Sequence, residues 1–427
     1  RNRVMSSVPS SEGLRVKNTI IGEEKMKLLQ LSLATIMAMG TMLVAEDSLS
    51  DAFKNGTLNG ELKAYYYNRV AYNGVYDDAH KLDGDIINFG IKLDYETAAF
   101  YNFKVGLGVQ TSNAPWVDTE GKEAYGTTPG RGLQDMWGSG AVLSQAYLSY
   151  TASKTTIKVG RQYIDMPLIG SAPSRLTVES FQGATIISNE IPNTTLMAAY
   201  VNRFQGWTDG EGNIADFQRL GNNVDYAYAL AVVNKSLTNT TLTASFGQLD
   251  NTFDMMYADA KYDGKAAAFT YNAAIQYGNV NYDNSSANDA YFYGVKVGLG
   301  IANFNTYIAY AQIKDGDAWW GTAGSGTIPL IYTSSVVLSG QYAESKQYAI
   351  DANYLIKEIG LLVGARYMNI DYTVSADTAD ITSVYAGITF DKALKGLGAT
   401  IAYEDESHDT NKVADRKELW FRGSYKF

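Results

Sequence analysis

Lys417-Glu418-Leu419-Trp420-Phe421-Arg422-Gly423-Ser424-Tyr425-Lys426-Phe427 is the stretch on which the reading of this chain turns. If it is extended, Leu419, Phe421, Tyr425 and Phe427 fall on one side, and Trp420, Arg422, Ser424 and Lys426 on the other. The first side is apolar and needs cover. In a soluble sheet that cover is a second layer; in a membrane barrel it is lipid. The rest of the sequence decides between them.

From Thr57 onward the hydrophobic period is two. Ile87, Phe89, Ile91, Leu93 and Tyr95 alternate with Asn88, Gly90, Lys92 and Asp94; Phe103, Val105, Leu107 and Val109 alternate with Asn102, Lys104, Gly106 and Gln110. Segments of about ten residues of this kind recur to the end of the chain, the length of a tilted transmembrane strand. Long links at 69–85, 112–140, 164–180, 204–223, 278–288, 314–345, 372–380 and 406–415 alternate with tight ones such as Thr97–Phe100 and Ala152–Lys154. The pattern predicts an all-β fold: a transmembrane antiparallel β-barrel of about 18 strands, with long extracellular loops and short periplasmic turns. The link 250–255 is out of step, being short where the alternation asks for a long one, and leaves the strand count near 250–265 open by two. Proline agrees with the assignment, because it cannot donate to a ladder. Pro115, Pro129, Pro167, Pro173 and Pro329 fall in expected long links, Pro192 in a turn, and Pro9 ahead of the barrel.

Composition fits the same architecture. The 427 residues include 32 Tyr, 15 Phe and 40 Gly, only 7 Pro and no Cys, so disulfides, thiolate metal sites and Cys nucleophiles are excluded. Lys25 and Lys27 flank Met26, and an apolar run from Leu28 to Val44 leads to Ala45 and the polar Glu46-Asp47-Ser48. This is the pattern of a secretory signal over 26–45, with 1–25 a non-native extension and 46–427 the barrel. Removing 1–45 takes away more basic than acidic residues, so the mature protein is more acidic than the formal net charge of −10. Such a balance argues against nucleic acid as a partner, and nothing in the pattern calls for a cofactor.

Several short motifs resemble the porin D family of outer-membrane channels, particularly its epsilonproteobacterial branch. They are Ser48–Gly56, Gly60–Tyr66, Lys158-Val159-Gly160-Arg161-Gln162, and Arg175-Leu176 leading to Phe181-Gln182-Gly183-Ala184. The chain departs from the family in reading Thr177-Val178-Glu179 where a proline often follows the Arg175-like position. The resemblance implies an eighteen-stranded porin in the outer membrane of a Gram-negative cell, surrounded by lipid and passing small hydrophilic solutes and ions by diffusion. It implies a third external loop, here Ile164–Ser180, folded into the pore, and a ladder of basic side chains that guides carboxylates. It also implies a last strand, with Tyr425 and Phe427 as its signal, read by the barrel assembly machinery. A homotrimer or a monomer is compatible with the family.

The basic pore-lining and constriction candidates are Lys63, Lys92, Lys104, Lys158, Arg161, Arg175, Arg366 and Arg422. Two readings of the ladder stay open. Inward bases guide anions, or they point inward because a charge facing lipid costs about 2–4 kcal/mol at mid-depth; Glu61, Asp94, Asp351 and Glu404, also inward, cancel part of their field. Strict alternation puts Arg161 on the lipid side, so a bulge is expected to turn it toward the pore mouth. Arg175 either faces the narrowest point or holds the loop by pairing with Asp165 or Glu179. Inward positions are expected to be small or polar, as in Thr241, Thr243, Ser245 and Gly247.

Rival classes are weaker. A barrel hydrolase commonly needs a histidine on its rigid wall, and the two histidines, His80 and His408, fall in expected loops. A calcium-stabilised structural or adhesive barrel could draw on Asp77, Asp78, Asp83 and Asp85, or on Asp315 and Asp317, without a binding spacing in either set; no metal site is assigned. A sugar-specific porin would use Trp116, Trp137, Trp319 and Trp320, which fall in expected loops rather than along the wall.

Overall fold

A computed structural model describes residues 48–72, 81–117, 136, 138–209, 212–283, 287–316, 321–327, 331–337 and 344–427. The expected extension and signal lie outside the described residues, as do Asp77, Asp78, His80, Pro129, Trp137, Asp317, Trp319, Trp320 and Pro329.

A short helix, α1 (Leu49–Lys54), comes first, capped by Ser48, whose Oγ accepts the Asp51 N–H at 3.1 Å. The strands follow in chain order: β1 (Thr57–Tyr72), β2 (Lys81–Glu96), β3 (Phe103–Val117), β4 (Gly140–Ala152), β5 (Thr155–Gln162) and β6 (Ser180–Ser188). Next are β7 (Thr194–Gln205), β8 (Ala227–Asn234), β9 (Thr240–Leu249), β10 (Phe253–Ala266), β11 (Phe269–Tyr282) and β12 (Ala290–Ile301). The last six are β13 (Phe304–Lys314), β14 (Ser345–Ile356), β15 (Leu361–Tyr372), β16 (Thr378–Thr389), β17 (Leu397–His408) and β18 (Arg416–Lys426). All eighteen belong to one antiparallel sheet in which sequence neighbours pair, and β1 pairs with both β2 and β18, so the sheet is a closed barrel. Among the described residues no helix is long and apolar enough to cross a membrane; the strands do the crossing.

The count of eighteen holds because the short 250–255 link is a genuine hairpin on the long-loop side. Asp250, Asn251 and Thr252 join β9 to β10, with Asn251 in the left-handed region at φ 52°, which asparagine tolerates. The following turn lies at Ala267, φ 52°, between β10 and β11. Three further expectations are corrected. Pro115 and Trp116 belong to β3, not to a loop; the ladder to β2 shifts register between Ile87 and Phe89, and a bulge is where a strand accommodates proline. His408 is the last residue of β17 and is buried, its Nδ1 2.7 Å from Asp377 and its Nε2 3.2 Å from Glu406.

The outer surface carries the apolar phase. Phe89, Ile91 and Leu93 on β2 and Val295, Val297 and Leu299 on β12 are all exposed to the surroundings of the barrel. Ring pairs sit near both ends, Tyr310 with Tyr348 toward the loops and Phe103 with Tyr150 toward the turns, the two girdles of a membrane barrel. Phe421, Tyr425 and Phe427 share this outer face, while Arg422 and Trp420 point in.

Closure extends to the terminal residue. Gly60 and Phe427 exchange N–H···O bonds of 2.9 and 3.0 Å, and the Phe427 ring lies where a Cβ on Gly60 would stand, 2.2 Å from its nearest atom. Gly60→Val is therefore expected to displace the ring and lower the amount of heat-modifiable barrel in the outer membrane, as deletion of Phe427 should. Normal levels of both variants would detach closure from this contact.

The inner face departs from the expectation of small and polar residues. Thr243, Ser245 and Gly247 do face inward on β9, but β10 to β13 turn Phe253, Met255, Val280, Phe292 and Ile313 to the inside. They are buried in an apolar core with Ile164, Met166, Leu168 and Ile169 from the β5–β6 connection and Ile331 from the β13–β14 connection. Burying each such aliphatic side chain contributes about 1.5–3 kcal/mol. One side of the barrel is thus packed like a protein interior, and a second core, Tyr65, Tyr67, Ile86, Tyr385 and Trp420 of the wall with Leu176, Val336 and Val337 of the connections, covers part of the opposite side.

Candidate functional site

Three connections bend inward and meet. The one between β5 and β6, residues 163–179, carries Pro167 and Pro173, which stiffen its path. Its tip pairs with the β13–β14 connection: the Thr322 N–H donates to the Leu168 carbonyl at 2.6 Å, Gly170 N–H to Ala323 at 3.2 Å, and Gly326 N–H to Gly170 at 2.9 Å. Gly247 on β9 leaves room for this seam, since a Cβ there would lie 2.8 Å from Thr322 Cγ2 and 3.4 Å from Leu168 Cδ1. The small inward residue expected to border water lies instead beneath a packed loop.

The second half of the β5–β6 connection is tied to the wall. Lys63 Nζ donates to the Leu176 carbonyl at 2.9 Å; Gln110 Nε2 donates to the Val178 carbonyl at 2.9 Å, and its Oε1 accepts the Val178 N–H at 2.7 Å. The third connection, β7–β8, supplies Trp207. Its Nε1 donates to the Ala172 carbonyl at 3.1 Å, and its own carbonyl accepts the Thr177 hydroxyl at 3.2 Å. The β13–β14 connection is held on the far wall by Arg366, whose Nη1 donates to the Ser334 carbonyl at 2.6 Å, and by Glu404, whose Oε2 accepts the Val336 and Val337 N–H groups at 2.9 and 3.0 Å.

Arg175 lies at the centre, almost fully buried, its guanidinium 4.6 Å from the Trp207 ring and 4.7 Å from the Trp420 ring. Stacking between two indoles fixes the loop to β18 and to the β7–β8 connection. The loop-holding role envisaged for Arg175 is served by these aromatic faces.

The other basic candidates divide. Lys92 pairs with Asp94 at 2.5 Å and lies over the Tyr163 ring at 4.7 Å; Lys104 pairs with Glu96 at 2.8 Å; Arg366 pairs with Asp351 at 3.0 Å. Lys158 instead lies over the Tyr147 ring at 4.0 Å, and Arg422 over Trp420 at 4.1 Å, with the Arg422 Nε lacking a hydrogen-bond partner. Arg161 does not turn inward. Neither ladder flanking β5 shifts register there, so Arg161 keeps the phase of Ile157 and Val159 and stacks on Phe217 at 4.3 Å, with Nη1 donating to the Leu143 carbonyl at 3.2 Å. An aromatic and a carbonyl near the rim give the outward guanidinium what the expected bulge was invoked to supply.

Lys63, Lys92, Lys104, Lys158 and Arg422 occupy one arc of wall, from β18 through β1 to β5. The apolar core around Leu168 occupies the arc opposite, and a second one with Tyr65, Tyr67 and Trp420 shares the basic arc. Sequence reasoning missed Lys296, whose Nζ is 3.7 Å from the Tyr307 ring that also faces Arg366; its inward phase on β12 was the available signal. It missed Trp207 too, for which no local pattern speaks. A third omission is the buried pair Arg69–Glu418, 2.6 Å apart across the closing β1–β18 ladder.

Of the acidic candidates for calcium, Asp83 accepts Asn68 Nδ2 at 3.0 Å, and Asp85 accepts Trp116 Nε1 at 2.9 Å. Among the described residues no three His, Cys, Asp or Glu side chains converge as metal ligands.

A closed eighteen-stranded barrel with inward loops is matched in sequence by the family model described as outer membrane porin, OprD family, over residues 51–373. The chain belongs to the OprD family. It is an outer-membrane porin: a channel rather than an enzyme by family and fold, facing membrane lipid on the outside and small solutes within. A search of curated proteins gave no sequence match. Among solved structures it is similar to Acinetobacter baumannii OccAB1 (TM-score 0.74, 15% identity, 90% of this chain and 99% of that one). It is also similar to A. baumannii OccAB4 (0.73, 18%, 87% and 98%) and to Pseudomonas aeruginosa OpdK with vanillate (0.71, 15%, 88% and 99%). At these identities the likeness to OprD-family structures is one of fold.

Proposed function

We propose that this porin favours small solutes that carry a carboxylate, passing them along the β18–β5 arc. One observation carries the reading: Lys158 and Arg422 are half-buried on that arc and, among the described residues, rest on aromatic rings rather than on carboxylates. Lys92 and Lys104 are already paired and offer a passing anion less. A unit charge within about 4 Å is worth about 1 kcal/mol even in bulk water, and more beside a low-dielectric wall.

The test compares Lys158→Gln, Arg422→Gln and the double variant in proteoliposomes, with benzoate or vanillate against a neutral sugar of similar size. The double variant should lose about fivefold or more of its carboxylate-to-sugar flux ratio, and its reversal potential in a salt gradient should move toward cations. An unchanged ratio in normally assembled protein would remove the preference and leave a general diffusion channel.

A further inference from the structure

Glu179 is the last residue of the β5–β6 connection, 2% exposed, and it bridges two of the inward loops. Its Oε2 accepts the Ala172 N–H of its own connection at 3.0 Å and the Ser325 N–H of the β13–β14 connection at 2.8 Å. The rest of that seam includes backbone hydrogen bonds, the Thr322 hydroxyl donating to the Leu168 carbonyl at 2.9 Å, and apolar packing; Glu179 adds an ionisable side chain that spans the two loops.

We propose that Glu179 is a proton-responsive latch: neutral, it holds the two loops together and the passage narrow, and on ionisation it lets them part and the passage widen. The proposal rests on the channel reading and adds a control to it. The charged group that faces Glu179 is Arg175, four residues earlier on the same connection. The β13–β14 connection presents the Ser325 N–H and hydroxyl, β3 presents the neutral Gln110 through Val178, and the β7–β8 connection presents Trp207. Arg175 is itself stacked between indoles, which limits how far it can follow the carboxylate.

Burial drives the behaviour. It pushes the Glu179 carboxyl up to about 7, against the opposing pull of the Ser325 and Ala172 donors and of Arg175. A solvated glutamic acid titrates at about 4.3. The latched form therefore holds its proton more tightly than the parted form, is favoured at acid pH, and loses that advantage as pH rises through about 7. Across this window the ratio of latched to parted forms changes by at most about 500-fold.

Planar-bilayer recordings of the whole protein from pH 5 to 9 test this. Mean conductance should rise with a midpoint near 7, and Glu179→Gln, which keeps an acceptor but cannot ionise, should stay at the acid level throughout. Because Glu179→Gln could assemble poorly, a second route uses the absence of native cysteine: Ile169→Cys with Ala323→Cys joins two residues whose backbones already bridge. Oxidised, this pair should abolish the pH response; reduced, it should restore it. A flat wild-type profile, a response retained in Glu179→Gln, or a response that survives the cross-link overturns the latch. Absence of conductance at every pH would instead overturn the channel itself.

Discussion

Leu168→Asp is expected to drive the tip of the β5–β6 connection out of the lumen and to raise single-channel conductance several-fold while the barrel stays intact. Leu168 is fully buried, in the apolar core that joins the loop to the inner wall of β7 to β13. Removing a buried leucine costs about 2–5 kcal/mol. An unpaired carboxylate in the same place costs several more unless it stays protonated or finds water. Against this stand the seam hydrogen bonds at Leu168 and Gly170, each worth about 0.5–1.5 kcal/mol net. The apolar term decides, and the tip leaves. The ties at Lys63, Gln110 and Arg175 lie beyond the tip and should keep 174–179 in place, so the effect is a wider passage rather than a bare barrel. Conductance equal to wild type, with normal heat-modifiability, would show that the tip does not bound the passage.

Glu418→Ala should weaken the barrel itself. Arg69 and Glu418 face each other across the closing ladder, both almost fully buried, and the Trp420 indole N–H also donates to Glu418. Truncating one partner of a buried ion pair costs about 3–5 kcal/mol. The measurable outcome is a lower temperature for conversion to the slow-migrating unfolded form in detergent electrophoresis. Glu418→Gln, which keeps an acceptor, should fall between. A transition at the wild-type temperature in Glu418→Ala would show that the backbone ladder alone closes the barrel.

How much was legible follows from what each signal depends on. The alternation of Leu419, Phe421, Tyr425 and Phe427 is local, set by the period of an extended chain, and it placed these side chains on the outer face correctly. The same periodicity found eighteen strands, including the pair around the tight Asp250–Thr252 turn. It failed where a second rule overrides the first. Pro115 was read out of β3 because proline is barred from regular ladders, whereas a bulge admits it. Arg161 was expected to turn in because lipid excludes charge, whereas Phe217, from a different connection, stacks on it where it stands.

The inner face was the least legible. In a simple water-filled barrel the inward phase reads as small and polar, which Met255, Phe292 and Ile313 are not. They are the wall of a core whose other half arrives from residue 164 onward, far away in sequence. Likewise, Arg175 carries no sign in its own segment of Trp207 and Trp420, 32 and 245 positions on.

The sequence by itself determined the class of fold, a strand number of about eighteen and the orientation of the outer face, because each follows from a repeat of two residues or from the length of a link; the inward loop came from the resemblance to a family. Only the tertiary structure decided which bases are paired, that Arg175 is clamped between indoles, that three connections rather than one meet inside the barrel, and where the apolar cores lie against its wall. Those depend on contacts between segments that no local period relates, and on the free energy of packing loops against the wall they meet.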